Sequence, residues 1–163
     1  MDKEIHRVAI VVAGGMGGLF GSILSSGGLD VTLIDTNRKQ IEAISQNGLR
    51  ISGFGGERQL RLPIKHDVAQ VQQADVVLVQ CKGTSTRDAA LAMKHLAKNG
   101  SIFISFQNGL GNEDILADIL GSQNVFGGLT SMAGACIGPG QYQDFGRAPC
   151  FIGEWGGGAS LRA

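Results

Sequence analysis

Hydrophobic residues along this chain follow two periods, and the switches between them mark out the elements. Residues 8–12 (Val-Ala-Ile-Val-Val) are an uninterrupted apolar run, the pattern of a strand buried on both faces. Glycines follow at once, and then Met16, Leu19, Phe20, Ile23 and Leu24 recur at the spacing of one helix face. A second apolar run, 31–34, ends at Asp35. Asn37 is placed to cap a helix carrying Ile41 and Ile44, which stops at Asn47-Gly48. Residues 49–52 and 59–62, joined through Phe54-Gly55-Gly56-Glu57, read as a small antiparallel hairpin. The polar stretch 67–73 reads as a short helix or turn, and residues 76–79 as another buried strand.

Ser85 and Asp88 match a capping box, and the helix they open turns Ala89, Ala92, Met93 and Leu96 to one face before Asn99-Gly100. Residues 102–106 form the next strand. Asn112 caps a further helix with Glu113 and Asp114 in its first turn and Ile115, Leu116, Ile119 and Leu120 inward; Gly121 ends it and a strand begins at 125–126. From Gly127 the helical period is lost. Residues 130–137, 141–145 and 150–152 read as short strands, expected as antiparallel additions to one edge of the sheet. Strands alternating with helices predict an α/β fold: a doubly wound, mostly parallel sheet with a small hairpin insertion and antiparallel C-terminal strands. The expected division is one domain over 1–156, then a linker over 157–163 in which Ser160-Leu161-Arg162 starts a helix.

Residues 8–35 carry the most specific pattern: strand, glycine turn, helix, strand, acid. That is the layout of a dinucleotide-binding βαβ unit, and it makes the expected fold Rossmann-like. A helix N-terminus offers free N–H groups and partial positive charge to phosphates. Asp35, 18 positions after Gly17, is placed to accept hydrogen bonds from a ribose diol. With Gly14 and Gly17 at the second and third fingerprint sites, the first site holds Val12 instead of the glycine that makes the tight turn. The alternative reading of Gly14 to Gly18 is close helix–strand packing alone.

Composition narrows the classes. The chain has 163 residues, 43% hydrophobic and 17% charged, enough for a real core. Formal net charge is zero, which gives no electrostatic argument for nucleic acid or a membrane surface as partner. Cys81, Cys136 and Cys150 are odd in number and lack metal spacing, so no metal site is expected and reduced, cytoplasmic thiols are the default. No apolar run approaches the ~18 residues of a membrane span.

In an open α/β sheet the segments after each parallel strand meet at the carboxyl edge, where such sheets bind ligands. That gathers residues 14–18, Asp35-Thr36, Lys82-Gly83 and Asn108-Gly109 into one cleft. Lys82 can hold a phosphate, and Asn108 offers donor and acceptor to ribose or nicotinamide. The plain alternatives are a solvated lysine and an ordinary turn dipeptide. His6, His66 and His95 have no partner at catalytic spacing.

These residues resemble the ketopantoate reductase (2-dehydropantoate 2-reductase) family over nearly the whole chain. The resemblance rests on Gly14-Gly15-Met16-Gly17-Gly18-Leu19-Phe20-Gly21, on Cys81-Lys82-Gly83-Thr84-Ser85-Thr86, and most specifically on Gln107-Asn108-Gly109-Leu110-Gly111-Asn112-Glu113. Gly127-Gly128-Leu129-Thr130-Ser131 and Ile152-Gly153-Glu154 complete it. It implies an oxidoreductase that passes a hydride from NADPH to the keto carbon of ketopantoate, giving pantoate for coenzyme A biosynthesis. It also implies that Ala13, Gly14, Gly15, Met16 and Gly17, with Lys82, Asn108 and the backbone of Gly134, contact the cofactor. Asn108 would also stand beside the substrate, a small 2-keto acid.

Three features depart from the family. Val12 replaces a glycine. Thr36 stands where an arginine commonly grips the 2′-phosphate of NADP; with Asp35 before it this leans the cofactor towards NAD, while Arg38 nearby pulls the other way. Third, the family's helical C-terminal domain, with its catalytic lysine, is expected beyond this chain, so no catalytic residue is assigned here and a homodimer would form through that domain. Two other functions stay open: a related 2-keto or 3-hydroxy acid dehydrogenase of different specificity, and a dinucleotide-sensing module without chemistry.

Overall fold

The computed structural model of the chain describes residues 4–158; the helix start expected at 160–162 lies outside them. Strand β1 (Arg7–Val11), helix α1 (Gly15–Ser26) and strand β2 (Asp30–Ile34) form the first βαβ unit, with β1 and β2 parallel. Helix α2 (Arg38–Asn47) follows, and the Asn37 side chain accepts hydrogen bonds from the Lys39 and Gln40 N–H groups, as a cap should. Gly48, at φ +76°, ends it.

The main sheet comprises β5 (Ile64–Lys65), β2, β1, β6 (Val76–Val79), β7 (Ile102–Ser105), β8 (Val125–Thr130) and β11 (Cys150–Glu154), in that spatial order. All are parallel except β11, which runs antiparallel to β8 at the edge. The order reverses between β1 and β6, so the switch point lies at the carboxyl ends of those two strands. The apolar runs span this sheet because both faces are covered. Val8, Ile10, Val76 and Leu78 face α1, α2 and a second sheet; Ala9, Val11, Val77, Val79 and Phe103 face α3 (Thr86–Ala92), α4 (Lys94–Lys98) and α5 (Asn112–Leu120).

The C-terminal strands divide in a way the periodicity did not predict. Only β11 extends the main sheet. β9 (Gly134–Gly138) and β10 (Gln141–Asp144) join β3 (Leu49–Gly53) and β4 (Arg58–Leu60) in a separate sheet, ordered β4-β3-β10-β9. The expected β3–β4 hairpin forms, and β10 then pairs with β3 in parallel. Tyr142 decides this. Its ring is 1% exposed and lies under the first turn of α1, where a Cβ at Gly18 would come within 2.2 Å of it. Asp144 pins the sheet's far end, with Arg58 at 3.1 Å and Arg147 at 2.5 Å.

Three smaller expectations change. The helix expected after Ser85 is two, jointed at the fully buried Met93, and Ser85 makes no side-chain cap. Its buried face is Thr86, Ala90, Met93 and Leu96, set by the Thr86 hydroxyl bonding inward, so Ala92 turns outward. Asn112 does not cap α5; Gly111 at φ +88° occupies that position and Asn112 is the first helical residue. The polar stretch near 67–73 holds a 3₁₀ turn at Val68–Gln70, with the Asp67 side chain accepting from the Ala69 N–H.

Candidate dinucleotide site

The two main glycines of the first turn have different reasons for being glycine. A Cβ at Gly17 would lie 2.0 Å from the Val12 carbonyl oxygen, so Gly17 is needed for α1 to approach the end of β1. Gly14 has no such reason. Its φ of −72° and ψ of −166° suit any residue, and a Cβ there would meet no atom of the described residues within 4 Å. The fold leaves space at Gly14 that none of the described residues uses. Gly14 also precedes the first turn of α1, which carries no acidic residue and no side-chain cap. N–H groups of a first helical turn have no partner within the helix. An open, uncapped turn beside a glycine free of internal constraint fits a pyrophosphate.

Val12 makes the turn that the first fingerprint glycine usually makes. It has φ +80°, alone among the non-glycine residues described. A β-branched residue in that region costs on the order of 1–3 kcal/mol. The next residue is held on both sides. The Ala13 N–H donates to Asp35 Oδ2 at 3.1 Å. The Ala13 carbonyl accepts from the Tyr142 hydroxyl at 2.6 Å and from Gln40 Nε2 at 3.2 Å. Gln40 also donates to the Tyr142 hydroxyl oxygen and accepts from the Gly140 N–H at 3.1 Å. Burial pushes the Tyr142 hydroxyl well above its ordinary range, so it stays protonated and keeps donating. Among the expected contacts, the Ala13 N–H is therefore committed to the protein.

Asp35 is 8% exposed; its other oxygen accepts from the Asn37 N–H at 2.9 Å. It nevertheless lines a cleft of about 590 Å³ at the switch point, together with Val12, Thr36 and Lys82. Each carboxylate oxygen has two lone pairs, so acceptor capacity remains. His66, Asp67, Ser85 and Asp88 line the same cleft, and sequence reasoning had not placed them there. Ala89 and Ala92 form part of its wall, their small side chains leaving it open. Arg38 is exposed at the start of α2. Met16 is half-buried against the core. Gly15 and Gly134 touch: a Cβ on Gly15 would lie 2.4 Å from the Gly134 carbonyl oxygen, which explains both as close packing between α1 and β9.

Asn108 lies apart from that cleft. It is exposed after β7 in a second, open cavity of about 620 Å³, bordered by Leu110, Leu129, Phe151 and Trp155. The two loops are tied by a buried polar network. Gln107 Nε2 donates to the Cys81 carbonyl at 2.7 Å and to Thr86 Oγ1 at 2.9 Å. Thr86 donates to Asn112 Oδ1 at 3.0 Å, and Asn112 Nδ2 donates to the Asn108 carbonyl at 3.1 Å. Ser105 donates to Glu113 at 2.7 Å beneath. The network fixes the backbone of Lys82 relative to that of Asn108. Its only sequence signal was polar residues directly beside buried strands. Among the described residues no group of three or more His, Cys, Asp or Glu side chains could hold a metal ion, and no helix is long and apolar enough to cross a membrane.

Comparison with known proteins places this geometry. Residues 8–157 match the family model described as ketopantoate reductase PanE/ApbA. The 2-dehydropantoate 2-reductase of Archaeoglobus fulgidus is 32% identical over 161 residues, which are 98% of this chain and 51% of that protein. The enzyme of that name from Nostoc sp. is 30% identical over 95% of this chain and 48% of its own length. Among solved structures, 2-dehydropantoate 2-reductase from Geobacter metallireducens superposes with TM-score 0.83 at 30% identity, covering 91% of this chain and 49% of that one. D-Mandelate dehydrogenase, in a ternary structure with NADH and anilino(oxo)acetate, gives 0.81 at 29% identity, covering 89% and 46%. The chain spans about half the length of the relatives it matches. With its glycine turn, its Lys82 loop and its Asn108 loop all within the matched residues, this chain belongs to the ketopantoate reductase family.

Proposed function

We propose that this chain is the cofactor-binding half of an NAD(P)H-dependent reductase that converts 2-dehydropantoate to pantoate, residues 1–156 forming that domain. The observation that carries the reading is Gly14, a glycine the fold does not need, beside an uncapped helix N-terminus. When bound, the dihydronicotinamide would supply the hydride. The chain's own residues bind and orient. The first turn of α1 takes the pyrophosphate, Lys82 adds positive charge from the cleft at the switch point, and Asp35 and Thr36, which line the same cleft, take the adenosine ribose. Asn108, after β7, offers its amide to the nicotinamide ribose and the 2-keto acid. The proton donor is expected in the part of the relatives' length that this chain does not span.

For the cofactor, the reading is NAD(H) over NADP(H). Asp35 lines the cleft, where a carboxylate favours a free diol and repels a 2′-phosphate. Arg38 is the counterweight. Calorimetric titration should give tighter binding of NADH than of NADPH; tighter NADPH rejects the preference, and no binding of either rejects the dinucleotide site. A second substrate reading is supported by the likeness to D-mandelate dehydrogenase: a 2-keto acid with an aromatic substituent. Turnover of 2-dehydropantoate against such an acid by the complete enzyme separates the two.

A further inference from the structure

The groups that fix Ala13 come from three distant parts of the chain: Asp35 at the end of β2, Gln40 in α2 and Tyr142 in β10. The strands do not need them, because β2 and β10 are each held by their own ladders. Gln40 is itself anchored by the Gly140 N–H, and the Tyr142 ring is seated under Gly18. Both hydrogen-bonding groups of Ala13 are thus satisfied within the protein, directly after the one non-glycine residue described with positive φ. A residue stays in such a conformation only where its surroundings over-determine it.

We propose that Asp35, Gln40 and Tyr142 are positioning residues for dinucleotide binding, which clamp Ala13 from both sides and hold Val12 in its left-handed turn. Gly14 and the first turn of α1 then stand where a pyrophosphate meets them. The proposal rests on the dinucleotide reading above. It also gives the second sheet a part in cofactor binding, since β10 reaches the cofactor turn through Tyr142. The clamp is specific to a chain with valine at 12, because glycine adopts φ +80° without being held.

The test is a cycle of Val12→Gly and Tyr142→Phe, the latter removing the hydroxyl and keeping the ring. NADH affinity, urea midpoint and hydrogen exchange at the Ala13 amide are measured for all four proteins. Tyr142→Phe alone is expected to weaken NADH about tenfold and to speed Ala13 exchange. In the Val12→Gly background the same change should weaken NADH less than about threefold. Equal losses in both backgrounds, or no loss in either, overturn the clamp. Should Tyr142→Phe fail to fold, Gln40→Met, which at similar volume removes both the donor to Ala13 and the acceptor for the Gly140 N–H, takes its place with the same expected pattern. If the unsubstituted protein binds neither NADH nor NADPH, the dinucleotide reading fails separately. The urea midpoints then still decide the clamp: non-additive shifts support it and additive shifts overturn it.

Discussion

At the scale of single residues, the glycine turn shows how one residue type serves opposite purposes three positions apart. Gly17 is glycine because of what is inside, whereas Gly14 has no such internal reason and finds one only in the proposed pyrophosphate contact. An alanine at 17 would press on the Val12 carbonyl, and Gly17→Ala should cost about 3 kcal/mol, lowering Tm by roughly 10 °C. A thermal melt checks this; an unchanged Tm would mean that α1 does not approach β1 so closely. Arg38 carries a second prediction. Arg38→Ala should leave NADH affinity within about twofold and weaken NADPH by about fivefold or more, if the cation exposed at the start of α2 meets the 2′-phosphate as proposed. Equal effects on both cofactors would remove Arg38 from the ribose site.

At the scale of elements, much of the fold was legible because its strands are buried on both faces. Residues 76–79 are apolar throughout and three of the four are β-branched valines, the pattern of a strand covered on both sides. The second sheet was not legible. The alternation of 141–144 fits a strand in either sheet, and what decides between them is a contact between Tyr142 and Gly18, far apart in sequence. The same applies to the site. Lys82 and Asn108 could be placed by topology, but Gln40 reaches Ala13 from α2 and Tyr142 only once the second sheet has formed. Asp144 gives that sheet a pH signature. Burial by itself would push the Asp144 carboxyl up, but hydrogen bonds from Arg147, the Gly146 N–H and Arg58, with the charge of Arg147, hold it below the usual carboxylate range. A depressed folded value means its stabilisation is present above the unfolded value of about 3.9 and is lost as pH falls through the folded one. The urea midpoint should therefore drop below about pH 4. Asp144→Asn should flatten that drop and cost about 1–2 kcal/mol near neutrality, a modest figure because both arginines are about a third exposed. An identical acid limb in the variant would refute the assignment.

At the scale of the whole molecule, the sheet divides its carboxyl edge between two cavities, a cleft at Lys82 and an open one at Asn108, joined by the Gln107–Thr86–Asn112 network. The cysteines report on this arrangement. Cys81 is buried at the cleft and burial pushes its thiol up, while Cys136 and Cys150 are exposed. Alkylation at neutral pH should label Cys136 and Cys150 about tenfold or more faster than Cys81. NADH should slow Cys81 further and leave the other two unchanged. The most direct measurement of the central claim is Gly14→Ala. Its backbone angles accept alanine and its Cβ meets no protein atom, so stability should hold, with Tm unchanged or slightly raised. NADH affinity measured on the same sample should fall about tenfold or more, because the methyl group stands where the pyrophosphate must approach. Undiminished NADH binding by a well-folded Gly14→Ala protein would contradict a dinucleotide seated on this turn.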